Sequence, residues 1–103
     1  MTRLDLSRTS VTGVGLELLE PLSELRSLDL KNTKVTDATL VNLAGLVQLH
    51  ELRLSGTGVT DRGLVHLRNL VELRHLSLDE TKTTAAARKK LKAFLPQASI
   101  TGP

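Results

Sequence analysis

No cysteine occurs anywhere in these 103 residues, which rules out disulfide staples and Cys-based metal sites and suits a reducing compartment. Tryptophan and tyrosine are missing too, and Phe94 is the only aromatic residue, so a core has to be filled by aliphatic side chains. No apolar run approaches the roughly 18 residues of a membrane span. The start, MTRLDLSRTS, lacks the apolar segment of a secretion signal. Taken as a complete product, the chain is expected in the cytoplasm. Acidic residues stop at Glu80: all eleven lie there or earlier, beside nine of the fourteen Lys and Arg. The other five, Lys82, Arg88, Lys89, Lys90 and Lys92, follow without a counter-charge, so the formal net charge of +3 belongs to the C-terminal end.

What is present is leucine at a fixed interval. The stretch Leu49 to Glu72, LHELRLSGTGVTDRGLVHLRNLVE, lands on itself when shifted by 24 places: Leu4, Leu28, Leu52 and Leu76 share one position, and Leu6, Leu30, Leu54 and Leu78 the next. Self-similarity of this period is the signature of a solenoid, whose units bury their apolar faces against their neighbours. The repeats run 1–24, 25–48, 49–72 and 73–96, with QASITGP left over. A fully buried leucine contributes on the order of 1.5 to 3 kcal/mol, against about 1 to 2 kcal/mol per residue for ordering the backbone. A few repeats barely break even, so the stack needs every leucine it has.

Each repeat opens with an alternating stretch such as SLDLK, ELRLS or HLSLD, whose period of two predicts a short strand with leucines on one face and polar side chains on the other. A turn follows, with Thr9, Thr33, Thr57 or Thr81 third in it. A buried hydroxyl there is expected to bond the backbone of the adjacent turn, forming a threonine ladder through the stack. Val35-Thr36-Asp37 and Val59-Thr60-Asp61, with Val11-Thr12-Gly13 in the first repeat, predict helix starts: threonine caps the helix and aspartate sits in its positively polarised first turn. Leucines then recur every three residues, at Leu16, Leu19 and Leu22 and at Leu64, Leu67 and Leu70, and Pro21 is expected to end the first helix early.

The pattern LxxLxLxxTxVTDxxLxxLxxL, best seen from Leu49 to Leu70, resembles the leucine-rich repeat family in a 24-residue, bacterial-type form related to the cysteine-containing repeats of F-box proteins. Threonine stands here where many members carry the asparagine or cysteine of the ladder. No F-box motif accompanies the repeats, so a ubiquitin-ligase adaptor role is not carried over. The resemblance implies an α/β solenoid over 1–103, with a parallel sheet on the concave side and short helices on the convex side. It also implies a protein partner held by concave side chains: Arg3, Asp5, Ser7, Ser27, Asp29, Lys31, Glu51, Arg53, Ser55, His75, Ser77 and Asp79. Four strands about 4.8 Å apart and about five residues long offer roughly 300 Å², against about 800 Å² on each side of a standard interface. Loops, a second copy or further repeats are therefore expected to contribute.

The fourth repeat departs from the pattern. TTAAARKKLKAFLP puts Arg88 in an inward leucine position and leaves Leu91, Phe94 and Leu95 to pack backward. This predicts a C-terminal cap over about 84–103, with Ile100 in the slot of Leu76 closing the sheet. At the other end Met1, Leu4, Leu6, Val11, Leu16, Leu19 and Leu22 predict an open flank beside an unpaired strand. More repeats, another domain or a second subunit is expected to cover it.

No catalytic, cofactor or metal site is predicted. His75, Ser77 and Asp79 share a strand face, but about 13 Å separates the first from the last, and Glu51 is expected to pair with His75. Gly56 and Gly58 of SGTGVTD read as turn residues, because the other repeats place RTS, NTK and ETK there. His50, His66 and His75 occupy three different slots and do not converge. The Arg88, Lys89, Lys90, Lys92 cluster lacks interleaved aromatics and reads as a solvated cap rather than a nucleic-acid site. The functional expectation is a non-catalytic module binding a protein through its concave face, within a longer array. The alternative is a self-assembling element that forms homo-oligomers through its N-terminal edge.

Overall fold

The computed structural model describes residues 3–10 and 24–103. Met1, Val11, Thr12, Gly13, Leu16, Leu19, Pro21 and Leu22, on which the first helix and most of the expected open flank depend, lie outside the described residues. Five strands, β1 (Arg3–Asp5), β2 (Ser27–Asp29), β3 (Glu51–Arg53), β4 (His75–Ser77) and β5 (Ser99–Thr101), form one parallel sheet in chain order. Leu4, Leu28, Leu52, Leu76 and Ile100 stand opposite one another from strand to strand. The units are stacked in a row, each beside the next.

The strands hold three residues rather than the five expected, and a left-handed turn explains the difference. The fourth residue still bonds across, as in Leu30 N–H to Arg53 carbonyl at 2.8 Å and Leu54 N–H to Ser77 carbonyl at 2.9 Å. Two places on, Arg8, Asn32, Gly56 and Glu80 all adopt positive φ, between 55° and 72°, and the pleat ends. The third repeat uses glycine there for a second reason: a Cβ on Gly56 would lie 2.1 Å from Asn32 Oδ1. A side chain in this conformation costs roughly 1 to 2 kcal/mol, partly offset by the backbone entropy glycine loses. Glu80→Gly is accordingly expected to stabilise the fold by about 0.5 to 1 kcal/mol, read as a higher urea midpoint with unchanged slope.

Helices α1 (Asp37–Leu40) and α2 (Asp61–Leu64) each run directly into a 3-10 turn, Val41–Leu43 and Val65–Leu67. Three residues per turn keeps Leu64, Leu67 and Leu70 on one line, and all three are buried. The last helix, α3 (Ala85–Phe94), stays α-helical over ten residues. Its inward positions are therefore four apart, Leu91 and Leu95, both buried, while Phe94 is turned out and 56% exposed. Phe94 thus departs from its expected backward packing, because the repeat's spacing of three does not survive in a helix of 3.6 residues per turn.

The core is continuous. Leu28, Leu30, Leu52, Leu54 and Leu78 are wholly buried, with Leu76 nearly so, and Val35 and Val59 close the corner between turn and helix. Leu4, Leu6 and Ile100 pack on its two ends and are half-buried. The threonine hydroxyls donate within their own turns, not to the adjacent one: Thr9 to Leu6, Thr33 to Leu30, Thr57 to Leu54 and Thr81 to Leu78, each at 2.6 to 2.7 Å. The coil-to-coil bonds expected of them are made by backbone N–H groups instead, such as Asn32 to Ser55 and Gly56 to Asp79, both at 2.9 Å.

Coils are also tied together by aspartate. The Asp37 carboxylate accepts the Thr60 N–H at 2.6 Å and the Thr60 hydroxyl, and Asp61 accepts the Thr84 N–H at 2.7 Å and hydroxyl at 2.8 Å. Each aspartate sits in its own helix's first turn and holds the N-cap of the helix in the next coil. Gly63 keeps this bridge open, since a Cβ there would stand 2.4 Å from Asp37 Oδ1. In the cap, Arg88 is half-buried and donates to the Thr83 carbonyl at 3.0 Å and the Pro103 carbonyl at 2.9 Å. It binds the last residues to the start of α3.

Candidate interaction surface

Period-two alternation turns one side chain of each strand pair outward, and the 24-residue register lines these up from coil to coil. Arg3, Ser27, Glu51 and His75 form one row, and Asp5, Asp29, Arg53 and Ser77 the next. Lys31, Ser7, Ser55 and Asp79 follow beyond the strands. Of the residues named from the sequence, Arg3, Asp5, Ser27, Asp29, Glu51, Arg53, His75 and Ser77 fall within the strands at the alternating positions.

Their carboxylates are already occupied. Asp5 Oδ1 accepts the Ser7 hydroxyl at 2.6 Å and the Ser7 N–H at 2.9 Å. Those bonds, the hydroxyl first, hold the Asp5 carboxyl below its ordinary range, aided by the charges of Lys31 and Arg53. Asp29 accepts the Lys31 N–H at 3.0 Å and lies 3.9 Å from the Lys31 ammonium. Asp79 accepts the Thr101 hydroxyl at 3.3 Å. Glu51 Oε1 takes the Ser27 hydroxyl at 3.2 Å and lies 3.4 Å from Arg53 Nε. The expected pairing of Glu51 with His75 is not made among the described residues: the carboxylate leans toward the Arg53 cation of its own coil and the Ser27 hydroxyl of the preceding one.

The residues that sequence reasoning missed stand one place before the strands. Arg26, His50 and Arg74 share a repeat slot, and backbone bonds stack them: the Arg26 carbonyl accepts His50 N–H at 2.7 Å, the His50 carbonyl accepts Arg74 N–H at 2.7 Å, and the Arg74 carbonyl accepts Ser99 N–H at 2.8 Å. With Arg3, Ser27, Glu51 and His75 they line an open recess of about 540 Å³ at the upstream edge of the sheet. A common slot filled twice by arginine and once by histidine was the available signal, hidden because those residues precede the alternating stretch. A smaller recess of about 260 Å³ lies beside it, around Asp5, Asp29 and Arg53. On the opposite side, α2 and α3 enclose a groove of about 400 Å³ lined by Leu64, Val65, Ala87, Leu91 and Phe94.

His75 is exposed, and Ser77 stands two residues along the same strand. Among the described residues no hydrogen bond joins them, so the arrangement offers a charged, side-chain-studded surface rather than an aligned nucleophile and base. No helix among the described residues is long and apolar enough to cross a membrane.

The leucine-rich repeat family model matches residues 48–67. Among solved structures, internalin C2 of Listeria monocytogenes superposes with a TM-score of 0.75 at 25% identity, over 100% of this chain and 52% of that one. The chain thus spans about half the internalin's length. The Chaetomium Mex67:Mtr2 structure gives a TM-score of 0.72 at 19% identity, covering 95% of this chain and 77% of that one. A Listeria internalin of the inlF type gives 0.57 at 21% identity, over 84% of this chain and 30% of that one. The last two share the fold alone. No curated protein matches the chain by sequence.

Proposed function

Taking the chain as the leucine-rich repeat protein that its match and its solenoid make it, we propose that it is a non-catalytic interaction module holding a protein partner on its concave strand face. The observation that carries this reading is the in-register outward rows Arg3–Ser27–Glu51–His75 and Asp5–Asp29–Arg53–Ser77, held on a backbone that is hydrogen-bonded from coil to coil. A rigid scaffold that presents polar groups without enclosing them suits recognition, since little ordering is left for binding to impose. The five-strand face is small beside a standard interface of about 800 Å² per partner. The reading therefore places the chain within a longer array, in keeping with an internalin about twice its length.

Self-assembly is the second reading, favoured by Leu4 and Leu6, half-buried at the outer strand where Leu28 and Leu30 are wholly buried. Charge reversal separates the two. The pair Asp29→Lys with Arg53→Glu is expected to weaken partner capture at least tenfold, if each reversed contact is worth about 1 kcal/mol, with circular dichroism and light-scattering mass unchanged. A mass that falls with Leu4→Glu, while the reversal pair leaves capture intact, would favour self-assembly instead.

A further inference from the structure

Resting on the concave-face reading, we infer that the upstream recess of that face binds an acidic peptide segment of the partner. Three arginines and two histidines, Arg3, Arg26, Arg74, His50 and His75, line one recess of about 540 Å³. Among the described residues none of these five side chains has a hydrogen-bond or ion-pair partner. Among the described residues the single carboxylate in the recess, Glu51, is engaged by Arg53 and Ser27. Elsewhere on the strand face the acids are likewise occupied, Asp5 by Ser7, Asp29 by Lys31 and Asp79 by Thr101. The carboxylates of the described residues thus leave the recess positive, and like charges gathered in a concave site raise the local potential for an anion.

The backbones that carry them are held in place. Arg26, His50 and Arg74 stand on consecutive coils whose backbones are bonded to one another at 2.7 Å, so the spacing of their attachment points follows the stack. A peptide fits this chemistry better than a nucleic acid. The recess contains no aromatic ring for bases to stack on, and Glu51 and Ser27 offer acceptors that peptide N–H groups can meet and a phosphodiester cannot.

The test is an NMR titration of the full chain with a capped ten-residue oligo-glutamate at pH 7.5. The expected result is shifts at Arg26, His50, Arg74 and His75. Arg26→Gln with Arg74→Gln should weaken binding about three- to tenfold. Shifts confined to Lys82, Arg88, Lys89, Lys90 and Lys92 would overturn the inference. So would an oligo-thymidylate of equal charge that binds the recess more tightly than the peptide. If oligo-glutamate leaves the recess untouched while the Asp29 and Arg53 reversals still abolish partner capture, this inference fails and the concave-face reading stands.

Discussion

Leu52→Ala is expected to cost about 3 to 5 kcal/mol, the upper range for a buried leucine that leaves an uncollapsed cavity. Leu52 is 0% exposed at the centre of the sheet, between Leu28 and Leu76 in the column of inward leucines. Its neighbours belong to two other coils, and hydrogen bonds on both sides hold those coils at fixed spacing, so the site has little freedom to close. A chain of this size has about 5 to 15 kcal/mol in total, and with no disulfide and one aromatic it has no other reservoir. Urea denaturation followed by circular dichroism is the measurement. The same truncation at Leu4, half-buried at the end of the column, should cost about 1 to 2 kcal/mol by its smaller burial. Equal losses at the two positions would show that the column is not the source of stability.

Asp37→Ala is expected to remove about 2 to 3 kcal/mol, the range for hydrogen bonds to a charged acceptor when the partners are left behind. The carboxylate is the acceptor for both the N–H and the hydroxyl of Thr60. Its loss leaves a helix N-terminus in the next coil without its bridge. Asp37→Asn should recover part of the loss, because one amide oxygen can still accept a bond. Asp61→Ala, whose bonds to Thr84 are more exposed, should cost about 1 to 2 kcal/mol. Hydrogen exchange at the Thr60 amide offers a local reading: it should accelerate in Asp37→Ala more than exchange at Leu52 does. If Thr60 and Leu52 accelerate equally, the aspartate acts on the whole fold and not on the joint between coils.

Neither aspartate's partner could be read from the chain as a string. Val-Thr-Asp reads as the start of one helix, and so it is, but the acceptor belongs as much to the coil that follows, 23 residues on. Phe94 shows the same limit from another side. Its slot is the slot of Leu46 and Leu70, both buried, yet a fully α-helical segment rotates it outward. The strand face followed the expected alternation closely, whereas the basic column of Arg26, His50 and Arg74 went unread because it lies just upstream of the alternation that marks a strand.

The parallel order of the strands was what the family resemblance implied, while by itself the sequence determined the repeat length, the inward leucines and the place of Ile100 at the end of the column. These follow from periodicity, which is a property of one chain counted along its own length: a residue 24 places on meets the same neighbours, and alternate residues face opposite ways. Only the tertiary structure decided which hydroxyl bonds which turn, where each carboxylate is spent, how the last helix is pitched and where positive charge is left without a partner. Those outcomes depend on distances of about 3 Å between side chains of different coils, and such distances are set by packing across the stack, which no spacing along the chain records.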